Sequence, residues 1–214
     1  LGKGVVVARD TPNFIANRIG VFGLVQAIRA LEAGRFTIED IDAVTGPPLG
    51  RPRSATFRTA DLAGLDVLVH VLTNLAERLP DERATFATPS LLSALVARGW
   101  TGEKAGQGFY KREGSDILAL DPASMTYRPR GAARIESLDA VKNLDAAERV
   151  RRLFGGQDTA GALLRETLAP TLVYAARLAP DIAWSMDDVD RALQWGFGWE
   201  LGPFELWDAI GVQT

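Results

Sequence analysis

The chain has 214 residues, 47% of them hydrophobic, a formal net charge of −3, one His and no Cys. That length buries one large core or two modest ones, and the scatter of Lys and Arg without a basic block excludes a generic nucleic-acid or anionic-membrane surface. The missing Cys excludes a disulfide framework, a thiolate metal site and a Cys nucleophile and points to a reducing cytoplasm, while no apolar run approaches the roughly 20 residues that span a bilayer.

In chain order, GVVVARD (residues 4–10) is a β-branched run that reads as one buried strand leading straight into a helix. Nothing nearby can pair with it, so residues 1–10 read as the remnant of a sheet whose other strands lie upstream. From Pro12 to Gly34 the pattern is helical, with Thr11 as cap and apolar residues at Phe14, Ile15, Ile19, Phe22, Val25, Ile28 and Leu31. Gly20 and Gly23 each weaken this helix by about 1 kcal/mol relative to Ala, which predicts close approach of another helix there. Thr37 and Asp40 frame a short capped helix, TIEDIDAV, before the loop TGPPLGRPRSATF. One long helix is then predicted from about Thr59 to Leu79, ended by Pro80, and another from Pro89 to Arg98 with Gly99 as its stop. Between Gly99 and Gly131 the chain turns Gly-rich and reads as a linker with short strands. Helices resume at Ser137–Phe154, Ala160–Leu178, Met186–Trp195 and Pro203–Ala209.

The pattern repeats. Thr37, Asp40 and Asp42 precede a Gly/Pro loop and Phe57, Asp61 and Gly64; Ser185, Asp188 and Asp190 precede a Gly-rich loop and Phe204, Asp208 and Gly211. Two copies of one unit, a long helix, a capped helix, a glycine loop and a helix, account for this. The expected fold is therefore mainly all-α: a first helical domain over 11–112, a linker with short strands over 113–136 and a second helical domain over 137–214.

Few side chains point to chemistry. The nearest string to a dinucleotide fingerprint, Gly196-x-Gly198-x-x-x-Gly202, has the wrong spacing and follows a helix rather than a strand. His70, inside LDVLVHVLTNL, reads as a packed or interface residue rather than a base. Asp40, Asp42, Asp187, Asp188 and Asp190 occupy first turns of helices, where capping and dipole complementarity explain them better than metal binding.

The segments DTPNFIANRIG, EDIDAVTG, GRPRSATFRTADLAGLD, GWTGEKAGQGFYK and WGFGWELGPFELWDAIG, in this order, resemble the C-terminal helical part of the 3-hydroxyacyl-CoA dehydrogenases of fatty-acid β-oxidation. Most similar are the long bacterial members, in which that part, of the 6-phosphogluconate dehydrogenase C-terminal-like type, is doubled and fused to an enoyl-CoA hydratase. The resemblance implies NAD-dependent oxidation of L-3-hydroxyacyl-CoA. In the family, the NAD-binding Rossmann domain and a catalytic His–Glu pair precede the helical part, so this stretch is expected to bind no NAD or metal and to be inactive alone. The implied partners are an upstream Rossmann domain of the same protein, the 3-hydroxyacyl-CoA substrate, a hydratase domain and further copies in a homo-oligomer.

One family position is carried over to Asn17, which matches an Asn that faces the substrate and orients the catalytic His. An amide suits that task because it both donates and accepts without adding charge. Arg18 reads as a salt-bridge or domain-contact residue. Relatives commonly carry Gly at the position of Asn13, which implies an adjusted backbone there. In the second copy Arg165 stands at the place of Asn17, which implies a unit without an active site. Lys104 and Lys111 could touch a CoA phosphate, though solvated loop lysines are the plainer reading. Phe57, Trp199, Phe204 and Trp207 could line an acyl channel, with core packing as the safer alternative. Two further readings stay open: a non-catalytic helical docking or dimerisation module, and the helical domain of another 3-hydroxy acid dehydrogenase. The tandem copy would supply within one chain the contact through which single-copy relatives dimerise.

Overall fold

The computed structural model describes residues 2–211. It contains ten α-helices and one small sheet: α1 (Ala16–Glu32), α2 (Ile38–Thr45), α3 (Phe57–Ala63), α4 (Leu65–Arg78), α5 (Ser90–Ala97), β1 (Tyr110–Glu113), β2 (Asp116–Asp121), β3 (Thr126–Pro129), α6 (Glu136–Ala140), α7 (Ala146–Gly155), α8 (Thr159–Ile182), α9 (Met186–Phe197) and α10 (Pro203–Ile210). Among the described residues no helix is long and apolar enough to cross a membrane.

The strand expected at residues 4–8 is absent. Residues 2–9 form no helix and join no sheet. Val5 and Val7 are 82% and 66% exposed, while Val6 and Ala8 lean on α8 and α9. One backbone bond, from Arg9 N–H to the Ile182 carbonyl (2.9 Å), holds this strap. Leu1 and residues 212–214 of the two terminal segments lie outside the described residues.

The first helix begins at Ala16 rather than Pro12. Asn13 (φ 62°) and Phe14 (φ 52°) occupy the left-handed region, which a right-handed helix cannot accommodate. Ile15 is therefore the cap, and Thr11 caps nothing. Asn tolerates this conformation better than most residues do, and the Gly expected of relatives at this position would tolerate it best.

The helix expected from Thr59 to Leu79 is two helices. Gly64, at φ 95°, ends α3 and starts α4, and the Leu65 N–H is taken by the Thr101 carbonyl (3.1 Å). Likewise Ser137–Phe154 divides into α6 and α7 where Asp145 caps α7 by accepting the Glu148 N–H (2.9 Å). By contrast, α8 runs past the predicted stop at Leu178 to Ile182, through Pro170 and Pro180. Burial of Leu178, Ala179 and Ile182 beside Ile15 and Val189 holds its last turn.

The segment expected to be a linker carries the antiparallel sheet β1-β2-β3. Ala119 and Leu120 are fully buried in the main core. Glu39 of α2 clamps the sheet from the side, accepting both Arg128 Nη groups (2.6 and 2.8 Å) and the Gly131 N–H (2.8 Å).

Two cores form, and neither belongs to one half of the chain. The larger runs from Phe22 to Leu206; the smaller joins Ile15 and Ile19 to α8 and α9. The seam is the crossing of α1 on α8, where a Cβ on Gly23 would sit 3.4 Å from Thr171 Oγ1 and one on Gly20 would strike the Phe197 ring. Gly20 thus meets the close approach that its cost in a helix predicts, while a Cβ on Gly23 would make only ordinary contact.

Matching positions of the two halves share local geometry. Thr37 and Ser185 accept the N–H groups of Asp40 and Asp188 (3.1 Å each). Asp42 accepts from Thr56 and Phe57, and Asp190 from Phe204 and Glu205. Gly50 and Gly198 have φ, ψ of 67°, 32° and 68°, 32°; Gly64 and Gly211 have 95°, 122° and 103°, 122°. The two glycine loops also touch, through the Glu200 N–H donated to the Gly50 carbonyl (2.7 Å).

Candidate functional site

A cleft of about 590 Å³ opens between α1, the loop before α3, α4, α8 and the Trp-rich loop after α9. Leu24, Leu49, Leu68 and Val71 form much of its wall, and Leu168, Phe197 and Trp199 close it from the other half. Most of its polar side chains are already engaged. Thr45 hydrogen-bonds to the Ile41 carbonyl and Thr56 (2.7 Å each), Thr59 to Ser54 and the Ala55 carbonyl, and Thr167 and Thr171 to carbonyls one turn back on α8. That leaves Asn13, Asn17 and Arg51.

Asn17 sits in the first turn of α1, exposed at this cleft, and its amide has no hydrogen-bond partner among the described residues. Its neighbour Arg18 points the opposite way and is 4% exposed. Arg18 Nε donates to the Tyr174 hydroxyl (3.0 Å) and Nη2 to Glu82, while the Tyr174 hydroxyl donates to Glu82 Oε2 (2.6 Å). Burial, with the hydrogen bond to Glu82, holds the Tyr174 hydroxyl well above its ordinary pKa. Arg18 is therefore both salt-bridged and a contact between the halves. It anchors α1 so that the adjacent Asn17 faces the cleft.

Behind the cleft, two buried acids fix α3, which supplies part of the floor. Asp42 accepts the Thr56 and Phe57 N–H groups (3.0 and 2.8 Å) and the Tyr110 hydroxyl (2.7 Å). Asp61 accepts the Phe109 and Tyr110 N–H groups (2.9 Å each). Burial raises the Asp42 carboxyl above its ordinary value and pushes Asp61 up to about 6. Two glycines of GWTGEKAGQGFYK, Gly102 and Gly108, serve this knot, since a Cβ on either would collide with Asp61.

The other acids singled out are helix caps or surface groups. Asp40 and Asp188 complete the capping of α2 and α9, Asp187 pairs with Arg191 at 3.6 Å, and Asp190 caps α10, burial pushing it up to about 6. Among the described residues no cluster suited to a metal ion forms. His70 is exposed on α4, which corrects the packed alternative and leaves the interface one, and it lies outside the cleft. Alternation along an apolar helix does not say which face is covered. Lys104 pairs with Asp66 (2.7 Å) and Lys111 with Glu113 (3.7 Å); neither lines the cleft. Of the aromatic candidates Trp199 lines it, Phe57 is fully buried against Phe109, and Phe204 and Trp207 pack on the two cores. Arg165 donates to the Phe154 and Gly156 carbonyls (2.8 Å each), closing the end of α7.

The string from Gly196 to Gly202 is not built as a dinucleotide loop. Gly198 ends α9, and the position of a Cβ on Gly202 is filled by Asp190, whose carboxylate caps α10. An acid already occupies the helix N-terminus that a pyrophosphate would need.

Arg51 was missed by sequence reasoning. Its guanidinium stacks on Trp199 at 3.9 Å, and its Nε is buried without a partner. The signal available was its register: Arg51 and Trp199 occupy matching places in the two glycine loops.

The family described as "3-hydroxyacyl-CoA dehydrogenase, C-terminal domain" matches residues 14–112 and 161–214. A "Probable 3-hydroxyacyl-CoA dehydrogenase" of Bacillus subtilis is 46% identical over 215 residues, covering 100% of this chain and 27% of that protein. A Rickettsia prowazekii protein, provisionally named a fatty acid oxidation complex trifunctional enzyme, is 26% identical over 96% of this chain and 28% of its own length. The chain thus spans a little over a quarter of the length of these curated relatives. The crystal structure of 3-hydroxybutyryl-CoA dehydrogenase from Escherichia coli has the same fold, with a TM-score of 0.66 at 21% identity over 99% of this chain and 56% of that one.

Proposed function

This chain belongs to the 3-hydroxyacyl-CoA dehydrogenase family, as a C-terminal part of it, and we propose that it forms the substrate side of an NAD-dependent L-3-hydroxyacyl-CoA dehydrogenase of fatty-acid β-oxidation. In this reading the general base and the site for NAD, which accepts the hydride, are on other polypeptide of the same protein. The relatives' greater length supports that assignment. The observation that carries the proposal is Asn17: an amide with no protein partner, held at an apolar cleft by the anchored Arg18.

As the 3-hydroxyl loses its proton, negative charge gathers on that oxygen. The Asn17 Nδ2–H donates to it and the Oδ1 accepts from the base, so one neutral side chain orients both without a charge opposing hydride departure. The apolar wall excludes water and seats the acyl chain. Asn17→Ala in the full-length protein is expected to lower kcat about 100-fold with little change in KM, the signature of a donor felt mainly in the transition state. A kcat near wild type would refute the assignment.

The paired halves have a second role in this proposal: they stand in for a homodimer within one chain. Contacts exchange as a two-fold axis requires. Gly50 meets Glu200 while Gly198 meets Pro52, and Arg51 stacks on its counterpart Trp199. Gly23 faces its own counterpart, Thr171. Covalent linkage removes the cost of association. The full-length protein is expected to retain activity at dilutions that dissociate any oligomer, and a loss of activity on dilution would count against this role.

A further inference from the structure

We propose that Arg51 receives an anionic oxygen group carried by the bound acyl thioester: a carboxylate at the far end of the acyl chain or a phosphate of its carrier. The inference rests on the substrate class proposed above and adds a specificity-determining residue to it.

Among the described residues Arg51 is the only charged side chain that lines the cleft, and no Asp or Glu lines it. The guanidinium face is covered by Trp199, 3.9 Å from the ring centroid. Stacking of this kind satisfies the face and fixes the plane, but it leaves the N–H edge unused. Nε is buried with no acceptor, and no carboxylate among the described residues pairs with Arg51. Glu200, adjacent to Trp199, turns away to Arg149 (3.2 Å). Burial lowers the Arg51 pKa to about 10, which keeps it charged at neutral pH.

A buried donor without an acceptor is destabilising, and the cheap remedy, an acid on a facing position, is absent. Nε is closed to a ligand as well, so the edge available at the apolar cavity is that of the two Nη groups, which have no partner among the described residues; it matches a carboxylate or phosphate, which accepts two parallel N–H bonds. The cleft therefore offers a neutral amide, Asn17, for the reacting oxygen and a single cation for a second, charged point on the same ligand. Because Trp199 belongs to the second half, this receptor exists only when both halves are in place. That assigns the second unit a part in recognition although Arg165 stands at its counterpart of Asn17.

Steady-state kinetics of the full-length protein test this. The substrates are 3-hydroxyacyl thioesters of equal length ending in methyl or carboxylate, each carried on CoA or on N-acetylcysteamine, which has no phosphate. Arg51→Gln is expected to lower kcat/KM at least about 10-fold for thioesters bearing the recognised anion, and several-fold less for those lacking it. Arg51→Lys should recover part of the loss, since it restores the charge without the planar edge. A loss confined to carboxylate-ended chains assigns the anion to the acyl group; a loss on both CoA thioesters that disappears on N-acetylcysteamine assigns it to the carrier. Equal changes for all four substrates would overturn the proposal and leave the dehydrogenase reading standing. If the wild type turns over none of the four, that reading fails on its own, and titration with hexanoyl-CoA and adipyl-CoA decides the role of Arg51. Affinities for both that Arg51→Gln leaves unchanged would overturn it; weaker binding of either supports it.

Discussion

Replacing Asp61 by Asn probes the knot that joins α3 to the sheet. Each carboxylate oxygen accepts one backbone N–H, from Phe109 and Tyr110. Asn keeps one acceptor and turns its NH₂ toward the other N–H, which strands a buried donor at a cost of about 1–3 kcal/mol. Relaxation is blocked by Gly102 and Gly108, which press on Asp61. A pH dependence is superimposed. Burial raises this carboxyl from 3.8 to about 6, so the folded chain holds the proton more tightly than the unfolded one. The stability contributed by that difference is fully present below the unfolded pKa and is lost as pH rises through about 6. A shift of roughly two units corresponds to at most about 3 kcal/mol. Asn does not titrate, so the stability gap between wild type and Asp61→Asn should shrink by up to that amount from pH 4 to pH 7. Urea denaturation followed by Trp fluorescence at pH 4, 5.5 and 7 measures it. A gap that widens toward neutrality, or stays within the roughly 0.5 kcal/mol of an inert surface change throughout, would refute the reasoning.

Three other substitutions follow from the packing. Gly20→Leu inserts a side chain where the Phe197 ring already lies, and overpacking of this kind is expected to destabilise the chain by about 1–3 kcal/mol; an unchanged denaturation midpoint would contradict the described crossing. Tyr174→Phe removes the hydroxyl shared by Arg18 and Glu82. A loss of about 1–2 kcal/mol is expected, and kcat should fall with it as the anchor beside Asn17 loosens; a kcat identical to wild type at saturating substrate would separate Asn17 from that anchor. Asp190→Ala uncaps α10, for a cost of about 1–2 kcal/mol at pH 5. That cost should be smaller at pH 7, because Asp190 is raised to about 6 by burial and, like Asp61, contributes less as it ionises.

Local patterns were legible wherever a side chain acts on its own neighbourhood. The Thr37 and Ser185 caps, the close approach at Gly20 and the strands after Gly108 follow from residue type and spacing, because caps and helix faces depend on contacts three or four residues away. The role proposed for Asn17 comes only from family resemblance; an exposed Asn in a first turn carries no signal of its own. The repeated acids show where local reading stops. Asp61 and Asp208 occupy matching places, yet Asp61 is buried under Phe109 and Tyr110 whereas Asp208 is exposed.

By itself, then, the amino-acid order determined a mainly helical chain, its caps, its glycine turns and a pattern of residues that recurs in the second half. The tertiary structure alone decided that residues 4–8 form an exposed strap, that Gly64 divides a helix, that His70 faces outward, and that Arg51 lies on Trp199 with an unpaired buried nitrogen. The reason is physical. Each of those outcomes is set by what a distant segment covers or leaves open, and coverage depends on shape and burial across the α1–α8 seam, not on the periodicity of any one segment.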